Sequence, residues 1–137
     1  MKIAIIEDEI FAAKRLENMI KVFNPNIEVV AKLESVKESI EWFRTNPEPD
    51  LIFLDIHLDD DLSFAIFKEV SITSAIVFTT ATDELATRAF HLKGIDFLLK
   101  PIIQADLNLL IQKYETKNGE RMPHDPTIFD DIINSKF

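Results

Sequence analysis

Acidic side chains follow two apolar runs in the sequence, and their types suggest chemistry on phosphorus. Residues 51–54 form an uninterrupted apolar run that ends at Asp55. Residues 2–6 form another strand-like stretch, apolar from Ile3 to Ile6, and Glu7 and Asp8 follow it directly. Carboxylates can bind a divalent cation, and an aspartate can attack phosphorus to give an aspartyl phosphate. A lone aspartate after a strand is more often a turn or capping residue, so this interpretation depends on which side chains join Asp55.

Two later apolar runs also end in polar side chains. Residues 75–79 lead to Thr80, and residues 95–99 lead to Lys100. A hydroxyl and an ammonium group suit the equatorial oxygens of a phosphoryl group in transfer. Mg²⁺ suits the acids, because it takes oxygen ligands and needs only one or two carboxylates. Each signal is weak alone, but together they predict a site for phosphoryl transfer to Asp55.

The elements that must position these side chains alternate along the chain. Five short stretches rich in apolar and β-branched residues, which are typical of strands, alternate with stretches whose apolar residues recur at helical spacing. This alternation predicts an α/β fold with a doubly wound parallel sheet and helices on both faces. Functional sites of such sheets lie outside the carboxyl ends of the strands. The strand-end residues are therefore expected to meet in one crevice.

Composition narrows the classes of function. The chain has 137 residues, 47% of them hydrophobic, no cysteine and a net charge of −9. The length suits one domain, and the acidic surface argues against direct binding of nucleic acid. A membrane span needs about 20 consecutive apolar residues, and no stretch of the sequence approaches that length. The absence of cysteine fits a reducing cytoplasm. We expect a cytoplasmic domain that attracts a divalent cation or a basic partner.

The strand-end motifs resemble those of receiver domains of two-component response regulators. The resemblance covers residues 1–117 and rests on four motifs, Glu7-Asp8, Leu54-Asp55, Thr80-Ala81 and Lys100-Pro101. Residues 76–102 are similar, more narrowly, to receivers attached to LytTR-type DNA-binding domains. The resemblance implies a five-stranded sheet in the order 2-1-3-4-5, as in flavodoxin-like folds.

The resemblance also implies roles for individual residues. Asp55 would be the phosphoacceptor. The ligands of Mg²⁺ would be the Glu7, Asp8 and Asp55 carboxylates and the backbone carbonyl of His57. The His57 ring could also act as a general base that hastens loss of the phosphoryl group, although a surface imidazole that lends only its carbonyl is the plainer interpretation.

The same resemblance implies a switch. Thr80 and Lys100 would contact the phosphoryl oxygens, and Phe97 would turn inward when Thr80 moves toward the phosphate. The family has tyrosine more usually at the Phe97 position, and Phe97 cannot donate a hydrogen bond. The bond between Lys100 and Pro101 is a candidate for the cis form.

Partners follow from the resemblance too. A sensor histidine kinase would donate the phosphoryl group. The domain itself is not expected to be an enzyme, because slow self-dephosphorylation would be the most that it catalyses. The face made by residues 84–117 would then change and form a homodimer. Residues 118–137, rich in polar residues and punctuated by glycine and proline, are predicted to be a linker toward an output domain absent from this chain. DNA would be bound only through that output domain.

Three alternatives stay open at this point. A phosphatase with Asp55 as nucleophile is disfavoured, because the haloacid-dehalogenase type needs a second acid where His57 stands. A flavin-binding domain is disfavoured, because its phosphate-binding loop would contain Glu7-Asp8-Glu9, which repels phosphate. A constitutive interaction module with the same fold would not need the acid, Thr80 and Lys100 set.

Overall fold

The described residues contain one sheet of five parallel strands in the order β2-β1-β3-β4-β5. The computed structural model of the chain describes residues 1–81, 95–116 and 124. The strands are β1 (Lys2–Ile6), β2 (Glu28–Leu33), β3 (Leu51–Asp55), β4 (Ala75–Thr80) and β5 (Phe97–Leu99). The predicted fold class is confirmed. The fifth strand begins two residues later than predicted.

Among the described residues, three helices lie between strands and a fourth follows β5. They are α1 (Ile10–Phe23), α2 (Val36–Thr45), α3 (Ile66–Glu69) and α4 (Gln104–Thr116), and a 3-10 turn over Ser63–Ala65 precedes α3. The sequence also predicts a helix after Asp83 and a short helix within residues 127–137, and both lie outside the described residues. Among the described residues no helix has the length and apolar character that a membrane crossing requires.

The central strand β3 is buried on both sides. Ile52 and Leu54 pack in the cluster that lies toward α2 and α3, and Leu51 and Phe53 pack in the cluster that contains buried residues of α1 and α4. All four side chains are at most 1% exposed. Because both faces of the strand are covered, the sequence shows a continuous apolar run and no alternation.

The amino end of α2 is capped from two places. The Ser35 hydroxyl accepts a hydrogen bond from the Glu38 backbone N–H (3.0 Å), as the sequence predicts. The Glu38 carboxylate reaches back to the Glu34 N–H and not to that of Ser35. Asp60, from the loop after β3, accepts hydrogen bonds from the backbone N–H groups of Val36 (3.0 Å) and Lys37 (3.1 Å). The aspartate run at residues 59–61 precedes an apolar helical pattern and so predicts a capping aspartate. Asp60 does cap a helix, but that helix is α2, which precedes the run in the chain.

Candidate functional site

Asp55 ends β3, the strand in the middle of the sheet, and its side chain lies at the carboxyl edge. The residue is only 7% exposed, and its neighbour across the ladder to β4 is Thr79. Strand β1, on the other side of β3, ends at Ile6, so Glu7 and Asp8 lie at the same edge. The topology thus places the acidic residues of two separate motifs side by side.

Lys100 joins the two motifs. Its Nζ lies 2.6 Å from Glu7 Oε1 and 2.9 Å from Asp55 Oδ2. The side chain of Lys100 is 31% exposed, whereas those of Glu7 and Asp55 are 6% and 10% exposed. The peptide bond between Lys100 and Pro101 is cis, as predicted. An ammonium group at the mouth of a buried carboxylate pair can attract and hold an anion that approaches Asp55.

The Glu7, Asp8 and Asp55 carboxylates form a compact cluster. Each offers an oxygen, and these oxygens all lie within 4.8 Å of one another. Burial raises the pKa of Glu7 to about 7, and the hydrogen bond to Lys100 offsets only part of that rise. Burial also acts on Asp8, but hydrogen bonds with Glu7 and Asp59 hold the pKa of Asp8 below its ordinary value. Within the described part of the chain, the cluster carries more potential negative charge than Lys100 alone neutralises, and the residues fit a hard divalent cation such as Mg²⁺.

Thr80 lies at the same edge, but its hydroxyl is hydrogen-bonded to a backbone carbonyl and not to the acidic cluster. Its hydroxyl donates a hydrogen bond to the carbonyl oxygen of Ala81 (2.9 Å), and its own carbonyl accepts one from the Lys100 backbone N–H (2.8 Å). The residue is 4% exposed. The backbone of Thr80 is therefore fixed to the strand end that carries Lys100. A rotation of the Thr80 side chain would break its hydrogen bond to Ala81 and free the hydroxyl.

Phe97 and His57 lie near the site in different environments. Phe97 is half-buried, faces Phe78 in the β4–β5 register, and packs against the core cluster on the α2 and α3 side. His57 is exposed and forms an isolated antiparallel bridge with Leu62. The hydrogen bonds of this bridge run between neighbouring residues, from Ser63 N–H to the Ile56 carbonyl and from Leu58 N–H to the Asp61 carbonyl. The loop that follows Asp55 is thus held in a defined turn.

Comparison with known families settles the class of protein. Residues 3–112 match the family described as the response regulator receiver domain. The chain belongs to this family. The receiver resembles the sensory transduction protein LytT of Bacillus anthracis (31% identity over 125 residues, 89% of this chain and 50% of LytT). It also resembles the transcriptional regulatory protein LytR of Staphylococcus aureus strain N315 (33% identity over 116 residues, 82% of this chain and 46% of LytR). The chain spans about half the length of these curated relatives.

Solved structures agree with this assignment. The response regulatory domain of the protein mrkE from Klebsiella pneumoniae is similar with a TM-score of 0.71 and 29% identity, over 85% of this chain and 96% of that domain. A response regulator from Chloroflexus aurantiacus has the same fold, with a TM-score of 0.71 at 24% identity over 85% of this chain and 98% of that one. The receiver fold implied by the resemblance of the strand-end motifs is confirmed.

A cavity beside the site was not foreseen from the sequence. The cavity has a volume of about 290 Å³ and lies between α1 and the segment after β5. Glu7 and Lys100 are among the residues that line it. Arg15, on α1, donates a hydrogen bond to the Ile102 carbonyl (3.0 Å) and so joins the two walls. The two residues of this bond are 87 positions apart, and no local pattern in the sequence of this receiver marks them as partners.

Exposed apolar side chains surround the same edge of the receiver. Phe11 is 87% exposed, Ile10 is 66% exposed and Ile103 is 60% exposed. Phe11 and Ile10 begin the helix that follows the β1 acids, and Ile103 follows the Lys100-Pro101 turn. Large apolar side chains at the rim of a polar site are typical of surfaces that bind another protein.

Proposed function

We propose that this receiver accepts a phosphoryl group on Asp55 from a sensor histidine kinase and acts as a switch for an attached output domain. The observation that carries the proposal is the position of Lys100, whose ammonium group contacts both Asp55 and Glu7. That contact joins the strand ends of three motifs into one pocket. Asp55 would be a stoichiometric acceptor, and the domain would not be an enzyme with turnover.

The chemistry assigned to these residues is an in-line displacement. A carboxylate oxygen of Asp55 attacks the phosphorus of a phosphohistidine, so that a P–O bond forms while the P–N bond breaks. The leaving imidazole nitrogen takes a proton from solvent. Lys100 and Thr80 hydrogen-bond to the phosphoryl oxygens, which supports the transfer mainly by position and charge.

Mg²⁺ is the proposed cofactor. Its ligands would be the Glu7, Asp8 and Asp55 carboxylates and the backbone carbonyl of His57. When bound, the ion would neutralise charge on the carboxylates and on the phosphoryl oxygens. The fit rests on the proximity of the three carboxylates and on their excess of negative charge over the single ammonium group.

The proposed switch begins at Thr80. To reach a phosphoryl group, the hydroxyl must give up its hydrogen bond to Ala81, and the space that it leaves would admit the half-buried ring of Phe97. The face made by residues 84–117 would then change and form a homodimer. Leu99 (44% exposed) and Leu109 (67% exposed) lie in the described part of that face and support its use as an interface.

The apolar rim made by Ile10, Phe11 and Ile103 is proposed to bind the kinase. It lies at the edge where the phosphoryl group must arrive, so a partner that docks there brings its phosphohistidine to Asp55. Phe11→Ala is expected to slow transfer from the kinase and to leave labelling by acetyl phosphate unchanged. Phosphotransfer profiling against the sensor kinases of the source organism would check this. Equal slowing with both donors would contradict the docking role.

The arrangement of the longer protein is also a proposal. We infer that residues 1–117 are the receiver and that residues 118–137 link it to an output domain. The curated relatives are about twice as long as this chain, and one of them is a transcriptional regulatory protein. A LytTR-type domain would then bind DNA, since the 137-residue chain itself has a net charge of −9. A cytoplasmic location would follow from these partners.

The switch can be tested by adding BeF₃⁻ and Mg²⁺, which mimic an aspartyl phosphate. Backbone amide signals of β5 and α4 are expected to shift in the wild-type chain and to stay unchanged in Asp55→Ala. The far side of the sheet, at β2, serves as an internal reference. Equal shifts in the variant would overturn the proposal.

A further inference from the structure

One residue beyond the end of α4 makes a specific contact with the body of the domain. The backbone N–H of His124 donates a hydrogen bond to the carbonyl of Ile72 (3.1 Å). Its ring nitrogen Nε2 lies 2.8 Å from the carbonyl oxygen of Ser74. The ring also meets Phe67 edge to face, with centroids 5.8 Å apart and planes at 69°. Three separate interactions thus bind His124.

The chemistry of the ring contact fixes one hydrogen. A carbonyl oxygen can only accept, so the Nε2 atom of His124 must carry a hydrogen and donate it to Ser74. Both the Nε2–H neutral tautomer and the protonated ring satisfy this requirement. The edge-to-face geometry with Phe67 is one that aromatic pairs prefer. A side chain of another type would lose one or both of these contacts.

The surface that contacts His124 is also held by hydrogen bonds of its own. Ile72, Ser74 and Phe67 are at most 5% exposed. The Glu48 carboxylate accepts hydrogen bonds from the backbone N–H groups of Thr73 (2.8 Å) and Ser74 (3.1 Å), and it so fixes the connection between α3 and β4. A binding surface that is rigid in advance loses little conformational freedom when it is occupied.

We propose that His124 anchors the segment after α4 to the connection between α3 and β4. This connection precedes β4, so it lies at the amino edge of the sheet, opposite the edge that carries Asp55. His124 also lies outside residues 3–112, the part that matches the family. With this anchor, the residues that follow in the chain would start from a fixed position at the amino edge of the sheet. Without it, they would be held only by their connection to the end of α4.

Spin labelling of the 137-residue chain tests this proposal, because the sequence contains no cysteine that would compete for the label. With a nitroxide on Asp125→Cys, the amide signals of Ile72, Thr73 and Ser74 are expected to broaden strongly. Addition of His124→Ala should remove that local broadening. Similar broadening with and without His124→Ala, or none at these amides in either chain, would overturn the proposal.

Hydrogen exchange gives a second measurement that does not depend on the label. The amide of residue 124 should exchange roughly tenfold or more slowly than in a short peptide of the same sequence, in line with one hydrogen bond in a docked segment. His124→Phe retains the ring contact and loses the Nε2 donor, so its protection should lie between that of wild type and that of His124→Ala. Exchange at the peptide rate in the wild-type chain would contradict the anchor. Both measurements are made without Mg²⁺ or phosphoryl donor, so their failure would leave the proposed phosphotransfer untouched.

Discussion

Lys100 Nζ lies 2.9 Å from Asp55 Oδ2, although 45 residues separate the two in the chain. The contact exists because β3 and β5 flank β4 in a parallel sheet and both end at the same edge. It gives the buried carboxylate an anion-binding neighbour that is itself partly exposed to solvent. The predictions about the site follow from this arrangement.

Lys100→Met should slow labelling of Asp55 by acetyl phosphate about a hundredfold, because the charge that stabilises the transferring phosphoryl oxygens is lost. Lys100→Arg keeps a cation and should retain more activity. Lys113→Met is a matched control. Lys113 lies on α4, and its Nζ also pairs with an acid, Asp96 Oδ2, at 2.7 Å. The rate of incorporation measures the effect. Equal rates in Lys100→Met and Lys113→Met would show that Lys100 has no role in transfer.

Mg²⁺ should stabilise the domain against heat, because it binds the folded carboxylate cluster and not the unfolded chain. A concentration of one hundred times Kd is expected to add about 2.7 kcal/mol to the free energy of unfolding. EDTA should reverse the gain in Tm, and Asp8→Asn should abolish most of it. Glu41→Gln removes an exposed acid of α2 and should not matter. A gain that survives in Asp8→Asn would place the ion elsewhere.

Asp60→Ala should lower the free energy of unfolding by about 1 kcal/mol, the usual cost of losing a helix cap. The Asp60 carboxylate accepts the N–H groups of Val36 and Lys37. Asp60→Asn keeps a carbonyl oxygen and should cost less. Urea unfolding curves of the two variants provide the comparison, and identical midpoints for Asp60→Ala and wild type would refute the capping role.

Glu48 should make stability depend on acid pH. Burial acts to raise its pKa, but hydrogen bonds from Ser74 and Thr73 outweigh burial and hold the pKa of Glu48 below its ordinary value of 4.5. The ionised form is thus favoured by folding, so its contribution is present above that value and is lost as pH falls through the lowered pKa.

Glu48→Gln should therefore destabilise the domain by about 1–3 kcal/mol at neutral pH, because hydrogen bonds to a charged acceptor are weakened. The loss should shrink as the pH falls through the lowered pKa of Glu48, because the wild-type side chain then becomes protonated too. Denaturant unfolding over this range measures both chains, with Glu28→Gln on the exposed side of β2 as control. A pH-independent difference would exclude the linkage.

Much of the fold could be predicted because the inner strands β1, β3 and β4 leave nearly continuous apolar runs. The acidic residues, Thr80 and Lys100 could be located because they directly follow such runs. The apolar spacing from Leu62 to Val70 predicts a helix, but α3 starts only at Ile66. Leu62 is held in a bridge with His57, and Ser63 donates its N–H to the Ile56 carbonyl. This pairing competes with a helical start, and local periodicity does not reveal it.

The sequence predicted that the strand-end residues meet, but it did not predict the individual pairs that distant residues form. Glu7 is the nearer partner of Lys100, at 2.6 Å, and lies 93 positions away. Glu48 joins Thr73 and Ser74 through four hydrogen bonds. In the sequence, Glu48, Thr73 and Ser74 each look like an ordinary surface charge or turn residue. Only the assembled sheet brings the partners together.

The most direct test of the central claim is the site of phosphoryl incorporation. The wild-type chain with acetyl phosphate and Mg²⁺ should gain the mass of one phosphoryl group, lost on mild base treatment as an acyl phosphate is, and peptide mapping should place it on Asp55. Asp55→Asn should gain none. Incorporation in Asp55→Asn equal to that in wild type, or a stable modification mapped to another residue, would contradict the account.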